Sequence, residues 1–81
     1  MKKVKFTTKI YTIEANVYDQ EHKAGMKENK RITKLKVYNN RDRYMAYDYD
    51  KAYNLDRLMP GPLQVIIESV MGESNSIGID I

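Results

Sequence analysis

The chain has 81 residues, a formal net charge of +3 and no cysteine. At that length it makes one small domain, 1–81, burying on the order of 60% of its chain surface, with no disulfide and no thiolate metal site to assist. No window approaches the roughly 18 apolar residues of a membrane span. Lys9 and Glu14 interrupt the only apolar stretch behind the MKKVKF start, which argues against a signal peptide. These features lead us to expect a soluble, cytoplasmic protein with no membrane partner.

Charge is distributed unevenly. Residues 1–46 hold twelve Lys/Arg against five Asp/Glu, and residues 47–81 hold two against six, so +7 and −4 sum to the total of +3. Such asymmetry marks either a surface for an anionic partner or two halves that attract each other in the fold. The abundance of Lys, Asn, Ile and Tyr points to an AT-rich coding sequence, as in low-GC bacteria and their phages.

Residues 3–18 alternate like a long strand, but the phase changes. Val4, Phe6 and Ile10 share one parity, whereas Tyr11, Ile13, Ala15 and Val17 share the other. Side chains alternate faces with period two, so a bulge near 7–11, or two short strands joined at Thr7-Thr8, is required. Residues 19–30 are charged and aperiodic, a loop at the upper end of ordinary length. Met26, its only large apolar side chain, is expected to fold back onto the sheet.

Residues 31–49 read as a β-hairpin around Asn39-Asn40-Arg41-Asp42. A register that sets Lys36 against Arg43 pairs like charges, so the preferred one pairs Tyr38 with Arg43 and Val37 with Tyr44. It assigns Thr33, Leu35, Val37, Tyr44 and Ala46 to the inner face. Ile32, Lys34, Lys36, Tyr38, Arg43, Met45, Tyr47 and Tyr49 then lie outside. Asp50 is placed to cap a short helix over 51–59, ended by Pro60-Gly61-Pro62.

Leu63, Ile66, Ile67, Val70 and Met71 match one helix face over 62–72, with Pro62 at the start and Gly72 at the stop. The β-branched run Val65-Ile66-Ile67 keeps a strand open as the alternative. Ser76–Ile81 alternates as a final strand. The fold class is therefore α+β: an antiparallel sheet of three to four strands in ββ-β-α-α-β order, with a C-terminal helix on one face. An all-β meander is the alternative.

No cofactor motif is present, and no catalytic one. His22 lies between Glu21 and Lys23 with no orienting partner, and the four glycines are scattered, so no phosphate-cradling loop exists. Asp48, Asp50, Asn54 and Asp56 form the densest acidic patch but match no EF-hand spacing, and helix capping accounts for them as well. The remaining constellation is the hairpin's outer face. Lys34, Lys36 and Arg43 can neutralise phosphates while Tyr38, Tyr47 and Tyr49 offer stacking surfaces, with Lys5 and Lys9 extending the stripe.

We therefore expect a non-enzymatic binding domain without a cofactor or metal, whose basic tyrosine face takes nucleic acid or a nucleoprotein complex. The alternative is a protein-binding inhibitor or adaptor of the phage or mobile-element type, using a mixed-charge surface and able to form a homodimer. The surface decides between them. A continuous basic stripe favours nucleic acid, and a divided surface favours protein.

Overall fold

The computed structural model describes residues 1–79. Strands β1 (Lys2–Thr7), β2 (Tyr11–Val17), β3 (Ile32–Asn39), β4 (Met45–Asp50) and β5 (Tyr53–Asp56) form one antiparallel sheet in sequential order. Helix α1 (Pro60–Ile79) follows and packs on β1 and β2. The class is α+β, with five strands rather than three to four.

The phase change near the N-terminus is a tight turn between two strands. Thr8 caps it: its Oγ1 accepts from the backbone N–H of Ile10 (3.2 Å) and of Tyr11 (2.9 Å). Val4 then pairs with Ala15 and Phe6 with Ile13, so both apolar sets face inward while Ile10 is left exposed in the turn. The helix presents Leu63, Ile66, Ile67 and Val70 to this face and turns Val65 to solvent, the spacing expected of one buried stripe. It does not stop at Gly72. Ser74 continues the buried stripe one turn beyond Val70, and Lys2 Nζ donates to the Ser74 carbonyl at 3.3 Å. The expected strand over Ser76–Ile81 is therefore helix as far as Ile79, and Asp80 and Ile81 lie outside the described residues.

The charged loop folds over the other end of the inner face. Met26 is fully buried, and its backbone N–H donates to the Ile32 carbonyl at 2.9 Å. Gly25 permits this closeness, because a Cβ there would overlap the Lys30 carbonyl. Tyr53 Oη accepts from the Lys27 backbone N–H and donates to Glu28 Oε1, both at 2.8 Å. The Tyr53 ring meets that of Tyr49 edge-on at 4.6 Å. These contacts hold residues 53–56 as a strand and overturn the helix expected over 51–59. A nine-residue helix is marginal alone, and Asp50 ends β4 instead of capping one.

The largest correction concerns β4. The hairpin closes two residues further out than expected, with Asn39 N–H donating to the Tyr44 carbonyl at 2.7 Å. Asn39 Oδ1 accepts from Arg41 N–H and Asp42 Oδ1 from Tyr44 N–H, both at 2.9 Å, and Arg43 takes a positive φ of 59°. Tyr38 pairs with Met45, but Val37 pairs with Tyr47, leaving Ala46 as an extra residue in a bulge. One extra residue reverses every side chain beyond it. Tyr47 and Tyr49 are thus core residues, 0% and 4% exposed, while Tyr44, expected inside, is 58% exposed. A second irregularity, opposite Asn16 and Val17, leaves Thr33 extra and turns Ile32 inward as well.

Tyr49 donates its hydroxyl to the Ala24 carbonyl at 2.7 Å, whereas the buried Tyr47 hydroxyl has no partner. Burial first, and then the Glu28 carboxylate, pushes the Tyr47 phenol far above its ordinary value of 10.0. Tyr53 is pushed up to about 12, chiefly by burial, but its ring is 43% exposed and solvent weakens its effect on stability. A phenol kept neutral in the folded state contributes stability that is intact below the unfolded pKa and is lost as pH rises above it. Urea unfolding at increasing pH is therefore expected to show a midpoint that falls above pH 10, with Tyr47→Phe flattening most of that slope. At neutral pH Tyr47→Phe leaves stability nearly unchanged, and Tyr47→Ala costs about 3–5 kcal/mol, as for other buried aromatics. A negligible cost for the alanine variant would place this ring outside the core.

Candidate binding surface

The face of the sheet opposite α1 is open. Its residues follow from the register in three rows across β1, β2, β3 and β4. The first is Lys3, Asn16, Lys34 and Asp50; the second is Lys5, Glu14, Lys36 and Asp48; the third is Thr7, Thr12, Tyr38 and Met45. Leu55 of β5 continues the second row beside Asp48. Opposite charges are register neighbours in the second row and at one end of the first: Lys5 and Lys36 flank Glu14, Lys36 also faces Asp48, and Lys34 faces Asp50, whereas Lys3 faces Asn16. Cross-strand pairs of this kind are favourable, by roughly 0.2–1 kcal/mol each.

Of the residues expected to bind, Lys5, Lys34, Lys36 and Tyr38 are on this face. Arg43 lies beside Tyr38 at the hairpin turn, and Lys9 sits in the adjacent β1–β2 turn. Tyr47 and Tyr49 are not there. They point through the sheet to the opposite side, so the tyrosine stripe reduces to Tyr38. Glu14, Asp48 and Asp50 take the vacated importance; Asp48 and Asp50 were expected from sequence to meet a protein partner's basic sites, whereas Glu14 was not singled out. A usable signal was present nonetheless: outward Tyr47 and Tyr49 would force Asp48 and Asp50 inward, at a cost of several kcal/mol per unpaired buried carboxylate.

The two turns at one end of this face are tied together through Asn40. Its Oδ1 accepts from Thr12 Oγ1 at 2.6 Å, its Nδ2 donates to the Thr8 carbonyl at 2.8 Å, and its backbone N–H donates to the Ile10 carbonyl at 2.8 Å. Thr12, Tyr38, Asn39, Asn40 and Arg43 line a shallow hollow of about 410 Å³. The Arg57 guanidinium lies over the Tyr44 ring, 4.9 Å from its centre. A second hollow of about 320 Å³ is bounded by Lys3, Lys5, Glu14, Asn16 and Lys34.

His22 is held as a structural residue. Its Nδ1 accepts from Ala24 N–H at 3.0 Å and its ring lies 4.5 Å from that of Tyr18. Among the described residues no three of His, Cys, Asp and Glu gather in a group able to hold a metal ion. Among them, too, no helix is long and apolar enough to cross a membrane. No family model, no curated protein and no solved structure matches the chain.

Asn40→Ala removes two side-chain bonds between the turns while keeping the backbone one. It is expected to destabilise the fold by about 1–2 kcal/mol and to speed amide exchange at Tyr11 and Asn40 before the strands open. Unchanged exchange at both turns would mean that Asn40 does not couple them.

Proposed function

We propose that this chain is a non-enzymatic protein-association domain, of the inhibitor or adaptor kind, that works through its open sheet face. The observation that supports this reading is the alternation of charge along the rows. Lys5, Glu14, Lys36 and Asp48 follow one another across four strands. A phosphate backbone laid on this face meets a carboxylate beside almost every lysine, and the counterion release that drives nucleic-acid binding needs cations without such neighbours. A protein surface of matching alternation meets no such conflict, and complementary charges set its register and orientation. Tyr38, Met45 and Arg43 supply the residue types enriched where protein partners bind most strongly.

Nucleic-acid binding is the second reading, and one observation favours it. Arg43 lines the hollow with Tyr38, and Lys9 and Arg41 lie in the two turns that Asn40 ties together, an arrangement that can take one or two bases rather than a strand.

Zero-length carbodiimide crosslinking, on purified protein and in lysate of a low-GC bacterium, separates the two readings. Protein–protein links are expected at Lys5, Lys34, Lys36, Glu14, Asp48 or Asp50, with no gel shift of single- or double-stranded DNA or RNA at low salt. A salt-sensitive gel shift weakened by Lys36→Glu, together with no links at the outer face, would overturn the protein reading in favour of nucleic acid.

A further inference from the structure

We infer that the partner the open face fits is the same face of a second copy of this chain. The inference rests on the reading of that face as a protein-association surface and names the partner. A two-fold axis drawn parallel to the strands, between β2 and β3, lays β1 of one copy over β4 of the other and β2 over β3. Each row stays opposite itself. Lys5 then meets Asp48, Glu14 meets Lys36, Lys3 meets Asp50 and Asn16 meets Lys34. In the third row Thr12 meets Tyr38 and Thr7 meets Met45. Every pair occurs twice, as an isologous interface requires.

The complementarity is specific to this axis. An in-plane axis perpendicular to the strands through the second row sets Lys5 on Lys5, Glu14 on Glu14, Lys36 on Lys36 and Asp48 on Asp48. Like charges directly opposed reject that arrangement. The hollow beside Thr12 has a use in the first arrangement, because Thr12 is where the partner's ring arrives. Tyr38 of each copy comes to the cavity of about 410 Å³ on the other. Two sheets packed this way keep their strands aligned, with an interlayer distance of about 10 Å.

The area sets the strength. Four strands at about 4.8 Å and six residues at about 3.4 Å span roughly 19 by 20 Å, about 760 Å² over the two copies, which is below the roughly 1,200 Å² of a stable specific interface and in the range of weak, transient contacts. The dimer is therefore weak, concentration-dependent and, being held by charge pairs near solvent, weakened by salt. The two-fold also places both copies' turn rims, with Lys9, Arg41 and Arg43, at the same end of the assembly.

Light scattering on the purified full chain over a concentration series is expected to show a mass rising from one chain toward two, less so at high salt. Lys5→Glu and Asp48→Lys should each weaken self-association about tenfold or more. Mixed together they should recover it, since the heterodimer restores an opposite-charge pair at both sites. Lys3→Glu mixed with Asp50→Lys gives the same readout from the first row, should Asp48→Lys fail to fold. A monomer at every concentration, or a mixture no better than its components, would overturn the inference. If the purified chain is monomeric while lysate crosslinks still map to the open face, the self-partner is wrong and the protein-association reading stands. If neither preparation gives links there, both are wrong.

Discussion

Strand β4 can turn only one set of alternate side chains toward the helix, and the bulge at Ala46 decides which. The sequence Tyr47-Asp48-Tyr49-Asp50 makes that choice consequential. With the tyrosines inward, two large rings fill the space between β3, β5 and the folded-back loop, and both carboxylates lie on the open-face side, Asp50 exposed and Asp48 half-buried with its Oδ1 closed off from solvent and unpartnered. With the carboxylates inward, two unpaired charges would be buried, each costing several kcal/mol. The hydrophobic and electrostatic terms therefore favour the same register, and the strain of a left-handed Arg43 and an unpaired Ala46 in the ladder is small beside them.

The same bulge creates the open face as a chemical object. Asp48 and Asp50 complete rows that would otherwise be basic, and they convert a lysine stripe into an alternating ladder. Charge asymmetry along the chain, basic before residue 47 and acidic after it, is thereby folded into asymmetry across the sheet, basic at β1 and acidic at β4. Both of the readings open to the sequence contained part of this. The two halves meet across the sheet, with Lys34 paired in register with Asp50 and Lys36 with Asp48. The residual polarity leaves the face basic on its β1 side and acidic on its β4 side.

Much of the fold was legible because period-two and period-3.6 patterns report burial directly. The helix face from Leu63 to Val70, the broken first strand and the return of Met26 to the sheet follow from that logic. The inner and outer positions misassigned beyond the bulges on β3 and β4 share one cause. Bulges at Thr33 and Ala46 insert single residues that no local pattern announces, and each inverts the parity of what lies beyond it. Residues 53–56 became a strand because Tyr53 found Tyr49 and the loop at Lys27 and Glu28, contacts remote in sequence. Of the site, Lys5, Lys34, Lys36 and Tyr38 were visible as outward positions on their strands. Asp48 and Asp50 were visible as carboxylates able to meet a protein partner, but their place in rows with the lysines, like that of Glu14, was not, because a carboxylate joins a given face only once its strand's register is known.

The central claim is that β4 buries Tyr47 and Tyr49 and turns Asp48 and Asp50 toward the opposite face, since the ladder and everything drawn from it depend on that orientation. Nitration of the native protein with tetranitromethane, mapped by mass spectrometry, tests it directly. Tyr44 is expected to react readily while Tyr47 and Tyr49 stay protected until the chain is unfolded in urea. Rapid nitration of Tyr47 and Tyr49 in the native state, with Tyr44 protected, would contradict the account.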